Sequence, residues 1–193
     1  MIIAGESDAA FEDCQVNCGS YLALVHCVMG QYVEAGTLKV RGGRVRTGKE
    51  AVLIKSQNFT VEMTGVDIVP GNGVLVRSLL NDDPVTTRLN GREAYGIHVK
   101  LRDMDVTGDI LHQDPEREMT VYLTGTTLRG KLSRTRLLMD RSSKWIAAGD
   151  STVELSGGFD LEQLDAPKGV TIWASGAEHG TYTLASGGQL VVE

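Results

Sequence analysis

Three aspartates near the middle of the chain are the side chains best suited to carry chemistry. Asp67 and Asp105 occupy the same outward position in two copies of an internal repeat, and Asp103 lies two residues before Asp105. Neighbouring strands lie about 4.8 Å apart, so we expect the two repeated carboxylates about 5 Å from each other. Charges at that distance repel by about 3 kcal/mol at an effective dielectric of about 20, which favours a shared proton or a bound cation such as Ca²⁺. The pattern predicts a catalytic carboxylate cluster, and the alternative is a solvated group beside Arg44 and Arg102.

A second set of candidates lies in an inserted loop, residues 79–94, and in a polar segment, residues 109–118. Repeat proteins carry their functional residues mostly in loops inserted on one face. The candidate ligand-binding residues there are Asp82, Asp83, Arg88, Arg92 and His112. An arginine guanidinium offers a planar fork to a carboxylate, so this set suits an acidic sugar, and the alternative is a solvated loop. The histidines and cysteines lack metal-ligand spacing, so no metal site is predicted from them.

The elements that position these side chains are predicted by an apolar pattern that repeats every 22 residues. Residues 99–110 and 121–132 match position by position, with apolar residues at positions 1, 3, 6 and 8 and glycine at position 10. Earlier copies begin at Ala9, Leu38 and Val61. Apolar residues two apart alternate as they do in a strand. The alternation slips by one residue between positions 3 and 6, so the chain must bend there if all four side chains are to point inward.

Each copy therefore predicts two short strands around a corner, followed by a third strand after a turn. Stacked copies pair in parallel and share a core that no single copy could form alone. The predicted fold is all-β, a single-domain parallel β-helix solenoid over residues 1–193 with turns of about 22 residues. Its repeats are clear over 9–132, apart from the insertion, and looser over 133–193. Val61, Val99 and Val121 are expected to stack in one interior file, that is, at equivalent inward positions of consecutive repeats. The apolar pattern of the looser part consists of Leu137, Met139, Trp145, Val153, Leu155, Val170, Ile172 and Trp173.

The composition excludes several classes of protein. The chain has 193 residues, 41% of them hydrophobic and 23% charged, and is too apolar for a disordered chain. Its apolar runs are too short to cross a bilayer, so no membrane insertion is expected. The formal charge of −6 argues against a nucleic-acid partner, which requires a basic patch. The first residues have neither the basic region nor the apolar stretch of a signal peptide, and the sequence leaves the cellular location open.

The closing repeats resemble those of a known family. They read TVYLTGTTLRGKL at 120–132, MDRSSKWIAAGDS at 139–151 and GTYTL at 180–184. Together with the preceding repeats from Phe59 onward, they resemble the right-handed parallel β-helix of the pectin-lyase-like superfamily, and more narrowly the repetitive adhesin-like surface proteins of gut-type bacteria. The resemblance implies a right-handed solenoid, an adhesin-like or carbohydrate-facing role, and a cell-surface or secreted location for a longer parent protein. It brings no catalytic motif.

Two functions follow as expectations. The first is a non-catalytic β-helix scaffold or adhesin-like module that recognises glycans. The second is a polysaccharide lyase or glycoside hydrolase that acts on acidic polysaccharide through Asp67, Asp103 and Asp105. In β-helix lyases an acidic cluster of this kind holds Ca²⁺, and a spacing near 5 Å also suits a retaining glycosidase. No other cofactor is expected. Open solenoid ends leave backbone unpaired, so a homo-oligomer through those ends is a further expectation.

Overall fold

The computed structural model describes residues 1–4, 7–26, 36–81 and 96–193, and these ranges form an all-β protein without an α-helix. A short 3₁₀ helix covers Leu161–Gln163. In chain order the strands are β1 (Ile2–Ala4), β2 (Asp8–Glu12), β3 (Gln15–Cys18), β4 (Ala23–His26), β5 (Gly36–Arg41), β6 (Arg44–Thr47), β7 (Val52–Lys55), β8 (Phe59–Thr64), β9 (Asp67–Pro70), β10 (Val74–Leu79), β11 (Ile97–Arg102), β12 (Asp105–Thr107), β13 (Asp109–Gln113), β14 (Met119–Thr124), β15 (Thr127–Arg129), β16 (Leu132–Met139), β17 (Lys144–Ile146), β18 (Ser151–Leu155), β19 (Leu164–Asp165), β20 (Thr171–Ser175), β21 (Gly180–Thr183) and β22 (Gln189–Val192).

Nearly all of these strands pair in parallel, one repeat with the next. The main sheet runs β1-β4-β7-β10-β13-β16-β14-β11-β8-β5-β2, and two smaller sheets run β12-β15-β17-β19 and β3-β6-β9. The long strand β16 makes the main sheet curl, because Leu132 pairs with β13 while Arg136 pairs with β14. The looser closing repeats continue the parallel pairing through β18, β20 and β22.

The predicted interior file is confirmed. Val61 pairs with Val99, and Val99 pairs with Val121, a residue separation of 22 in the second case. All three side chains have no exposed surface. A fully buried aliphatic side chain contributes about 1.5–3 kcal/mol relative to an exposed one, so a file of this kind holds consecutive repeats together.

The predicted bend has a distinct backbone conformation. The residue at position 5 of each clear repeat has a positive φ between 48° and 62°. These residues are Asp13, Gly42, Gly65, Asp103 and Gly125. One residue in the left-handed region reverses the phase of alternation, so the apolar residues on both sides of the corner face the same interior. The core clusters accordingly into one body that includes Met104 and Val106 beyond the corner.

The pairing of β7 with β10 corrects one sequence alignment. Residues 51–56 and 73–78 look superimposable at an offset of 22. In the structure Val52 pairs with Val76, an offset of 24, and β10 has a bulge between Val74 and Val76 on its other side. A shift of two residues keeps every side chain on its face, so the hydrophobic pattern alone does not reveal it. As a result, Ser78 rather than Val76 lies opposite Ile54 in the inward file.

The two ends of the stack differ. At the far end, β21 runs antiparallel to β22 and covers the last repeat, while Asp165 accepts hydrogen bonds from the backbone and the hydroxyl of Ser186 at 2.9 and 2.7 Å. In the first repeat the inward residues Ala9 and Phe11 are only partly buried. Residues 82–94 of the inserted loop lie outside the described ranges, and Leu79, expected in that loop, belongs to β10. Within the described ranges, no helix has the length and apolar character needed to cross a membrane.

Candidate functional site

A groove of about 450 Å³ opens where β13, β16, β18 and β20 lie side by side. We call this feature the Trp173 groove. Its lining combines one exposed aromatic ring with arginines, glutamates and hydroxyls. The residues used below are His112, Arg117, Arg134, Thr135, Arg136, Glu154 and Trp173.

Alternation along β20 places Trp173 on the outside. Ile172 and Ala174 point into the core and are 0% and 6% exposed, whereas Trp173 between them is 41% exposed. Trp173 pairs with Thr152 of β18, which also lines the groove. A large aromatic ring held on a rigid strand and left open to solvent is a common feature of binding sites.

A β-bulge in β16 directs Arg134 outward. Ser133 and Thr135 pair with consecutive residues of β18, so Arg134 between them is the extra residue. It has φ +56°, unusual for an arginine, and its side chain is exposed. Bulges and positive-φ residues of this kind often occur where a side chain is re-aimed at a site. Within the described ranges, no carboxylate forms an ion pair with the Arg134 guanidinium, whereas the nearby Arg136 binds Glu154 at 3.0 Å.

Two buried polar atoms on the groove lining lack a hydrogen-bond partner within the described part of the chain. They are the Oγ1 atom of Thr135 and the Nε atom of Arg117. Thr135 is 3% exposed, and the Arg117 side chain is 6% exposed while its Nη1 atom binds Asp114 at 2.8 Å. A buried polar atom without a partner costs about 1–3 kcal/mol, and neither atom is open to a ligand in the groove.

His112 forms the inner wall of the groove through a chain of hydrogen bonds. Its Nε2 atom lies 2.8 Å from the Arg117 carbonyl oxygen and its Nδ1 atom lies 2.6 Å from the Ser78 hydroxyl. Because a carbonyl only accepts, Nε2 carries the proton and the Ser78 hydroxyl donates to Nδ1. Burial lowers the pKa of the His112 imidazole, which keeps the ring neutral. Ser78 has no exposed surface, so the pair braces the groove rather than presenting a nucleophile.

The structure places the predicted aspartates on separate sheets. Asp67 begins β9, which pairs with β6, and Asp105 begins β12, which pairs with β15. Asp67 binds Arg44 at 3.0 Å and Arg46 at 2.8 Å, and the hydrogen bond from Arg46 lowers the pKa of its carboxyl group. Asp67 thus has two cations of its own and needs no proton shared with Asp105.

Asp105 and Asp103 have separate structural surroundings. Asp105 forms an ion pair with Arg129. Asp103 is the corner residue, and its backbone N–H donates to the Thr124 carbonyl at 2.9 Å. Within the described ranges, no three His, Cys, Asp or Glu side chains gather into a group that could hold a metal ion. The catalytic role and the Ca²⁺ site at Asp67 and Asp105 stay predictions.

The second candidate set is only partly visible. Asp82, Asp83, Arg88 and Arg92 lie outside the described residues. His112 does not lie in a loop, because residues 109–113 form β13, and its buried ring reaches the groove from the inner side.

The sequence analysis did not identify Trp173 or Arg134 as candidate site residues. It counted Trp173 among the apolar residues of the looser repeats. The available signal was the alternation, since an inward Ile172 requires an outward neighbour. The bulge that exposes Arg134 leaves no comparable signal in a single sequence.

Comparison with protein-family models, with curated proteins and with solved structures finds no match for this chain. The site is therefore interpreted from its own geometry.

Proposed function

We propose that the chain is a right-handed β-helix scaffold, with turns of about 22 residues, that recognises a glycan in the Trp173 groove as a non-catalytic, adhesin-like module. The observation that carries the proposal is the exposed indole of Trp173 in one groove with the exposed guanidinium of Arg134, which has no ion-pair partner among the described residues. Parallel repeats around one core support the scaffold part, because they hold the groove residues on rigid neighbouring strands.

The lining suits a sugar. A pyranose has an apolar face of C–H groups that packs on an aromatic ring and an edge of hydroxyls that both donate and accept hydrogen bonds. The Trp173 ring offers the flat apolar surface. The exposed Thr152 hydroxyl, on the strand beside Trp173, can both donate a hydrogen bond to a sugar hydroxyl and accept one from it. Arg134 adds an exposed cation for an acidic substituent.

Binding without cleavage is the function that the described carboxylates favour. Glu154 in the groove is engaged by Arg136, and Asp67 and Asp105 are engaged by arginines of their own. A general acid needs a carboxyl pKa raised toward neutrality, whereas the hydrogen bond from Arg46 lowers the pKa of Asp67.

A glycan array followed by titration of the best oligosaccharide tests the proposal. We expect Trp173→Ala to weaken binding at least tenfold and Thr152→Val to weaken it severalfold. Leu161→Ala is the matched control, because Leu161 is 40% exposed, as Trp173 is, but does not line the groove. The affinity of the Leu161→Ala variant for the oligosaccharide should stay within twofold of the wild-type value. Equal affinities for Trp173→Ala and the wild type would overturn the groove assignment.

A cleavage assay on acidic polysaccharides, reading reducing ends and unsaturated uronides, separates binding from catalysis. We expect no turnover. Turnover that is abolished by Asp67→Asn or Asp105→Asn would instead establish the lyase or hydrolase function.

A further inference from the structure

Each of the first three strands has a strand neighbour on one side only. Among the described residues, β1 pairs with β4 alone, β2 with β5 alone and β3 with β6 alone. An edge strand presents a row of unpaired N–H and C=O groups, which is a template for pairing with another chain. We call the side of β3 that faces away from β6, from Cys14 to Cys18, the β3 edge.

The backbone of β3 directs the polar groups of two residues toward this edge. Backbone N–H groups of β6 and of the glycine that follows it donate to the carbonyl oxygens of Cys14 and Cys18, both at 2.8 Å. Successive residues of a strand direct their N–H and C=O groups to opposite sides. The N–H and C=O groups of Gln15 and Asn17 therefore point away from β6, and the edge offers two donors and two acceptors.

Charge distinguishes the β3 edge from the edge of β2. The outward side chains of β3, Gln15 and Asn17, are exposed and uncharged. The exposed side chains of β2 include Asp8 and Glu12, and two copies of β2 paired about Ala10 would place these carboxylates opposite each other. Like charges directly opposite each other on paired strands are destabilising, and charged side chains are a common protection of edge strands. The β3 edge lacks this protection.

The inward side chains of β3 are also incompletely covered. Val16 is only partly buried, whereas Val45 and Ile68, which follow it in the same column, are 1% and 5% exposed. Cys14 and Cys18, on the same face as Val16, are partly exposed as well. A further strand beside β3 would remove this apolar surface from water, which is favourable.

We propose that the β3 edge is an interaction surface for a second copy of the chain, and that the two β3 strands pair antiparallel about a two-fold axis at Val16. In this register Gln15 of each copy faces Asn17 of the other as a hydrogen-bonded pair, which uses all four polar groups of each edge. Val16 then faces its own copy and Cys14 faces Cys18, both as pairs without hydrogen bonds. The same surface serves both copies, as a two-fold axis requires.

Cross-linking with glutathione disulfide tests the register. Pairs without hydrogen bonds have Cα atoms about 4.5 Å apart, within the range of about 4.4–6.8 Å that a disulfide spans. One thiolate attacks glutathione disulfide and releases glutathione, and the facing thiolate then displaces the second glutathione to form the protein disulfide. The full chain with Cys27→Ser is the reference, because Cys27 lies outside the described residues. We expect it to give a covalent dimer on a non-reducing gel.

Two single variants of this reference make the test specific. Cys14→Ser and Cys18→Ser should each cross-link at least tenfold more slowly, because neither homodimer keeps a facing pair of thiols. An equimolar mixture of the two should cross-link again, through the one Cys14–Cys18 pair that the mixed dimer retains. Cross-linking of either variant alone at the reference rate, or no gain on mixing, would overturn the proposed register.

Sedimentation equilibrium under reducing conditions tests the surface without a covalent bond. Gln15→Glu/Asn17→Glu places carboxylates opposite each other at both hydrogen-bonded pairs and should weaken dimerisation at least fivefold. Gln15→Lys/Asn17→Glu is the matched variant, because it places opposite charges at the same positions, and it should dimerise at least as tightly as the wild type. Equal dissociation constants for the two variants, or a wild type that is monomeric at every concentration, would overturn the proposal.

This surface is independent of the Trp173 groove, which lies on strands at the other end of the pairing order. Trp173→Ala should therefore dimerise as the wild type does, and Gln15→Glu/Asn17→Glu should bind the groove oligosaccharide with the wild-type affinity per chain. Loss of the dimer in Trp173→Ala would place the contact at the groove and show that the β3 edge is not the surface.

Discussion

Replacing Gly65 by alanine tests the corner on which the stacked repeats depend. Gly65 has φ +56°, and an added Cβ atom would meet no other atom within 4 Å. The expected effect is therefore purely a backbone one. Alanine in the left-handed region costs about 1–2 kcal/mol, and a stiffer unfolded chain offsets part of this. We expect Gly65→Ala to lower the free energy of unfolding by about 1 kcal/mol, or Tm by about 2–4 °C for a chain of this size.

Two further glycines make this measurement specific. Gly125 has the same conformation, with φ +57°, but its added Cβ would lie 2.6 Å from Oδ1 of Asp103. Because the exposed Asp103 side chain can rotate away from an added methyl group, Gly125→Ala should lose about as much stability as Gly65→Ala, to within ~1 kcal/mol. Gly149 has no left-handed φ and nothing within 4 Å of an added Cβ, so Gly149→Ala should lose no stability.

Urea unfolding followed by circular dichroism measures all three variants. If Gly65→Ala and Gly149→Ala unfold at the same urea concentration, the corner does not require a left-handed residue and the reasoning is refuted. If Gly125→Ala loses several kcal/mol more than Gly65→Ala, the Asp103 carboxylate is held rigidly at the corner and the expectation of equal losses is wrong.

Three further outcomes are expected. Ser78→Ala removes the donor to the buried His112 ring, and urea unfolding should show a loss of about 1–3 kcal/mol; Ser142→Ala, at an exposed turn, is its control. Burial lowers the pKa of His112 below its ordinary 6.5, so the free energy of unfolding is highest above that pH and declines as the pH falls through the folded-state pKa. His112→Gln should remove this decline between pH 7 and 5. An unchanged pH profile of the free energy of unfolding would contradict the prediction. Asp67→Asn should change stability by less than about 1 kcal/mol, since its ion pairs are half exposed, and a larger loss would show a structural role.

The architecture was largely predictable because its signal repeats. The spacing of apolar residues predicted the strands, the phase slip predicted a bend, and the register of Val61, Val99 and Val121 is confirmed. The glycine or aspartate at position 5 of each repeat was an unused signal for the left-handed corner. The alignment of β7 with β10 was wrong by two residues, because a shift of two preserves the side-chain pattern.

The candidate sites were less predictable. Asp67 and Asp105 share a repeat position, but the sheets separate between β9 and β12, and each carboxylate has its own arginine. The Trp173 groove combines side chains from strands 20–60 residues apart, and a bulge sets the direction of Arg134.

The sequence by itself determined which faces are buried, because the apolar side chains of each repeat are shielded from water only when they pack against the equivalent side chains of the next repeat. It also determined where the chain bends, since the alternation cannot change phase within a straight strand. Only the tertiary structure decided which outward residues are neighbours. Solvent-facing positions obey no burial constraint, so their neighbours depend on register, bulges and insertions, and these bring Trp173 to Arg134.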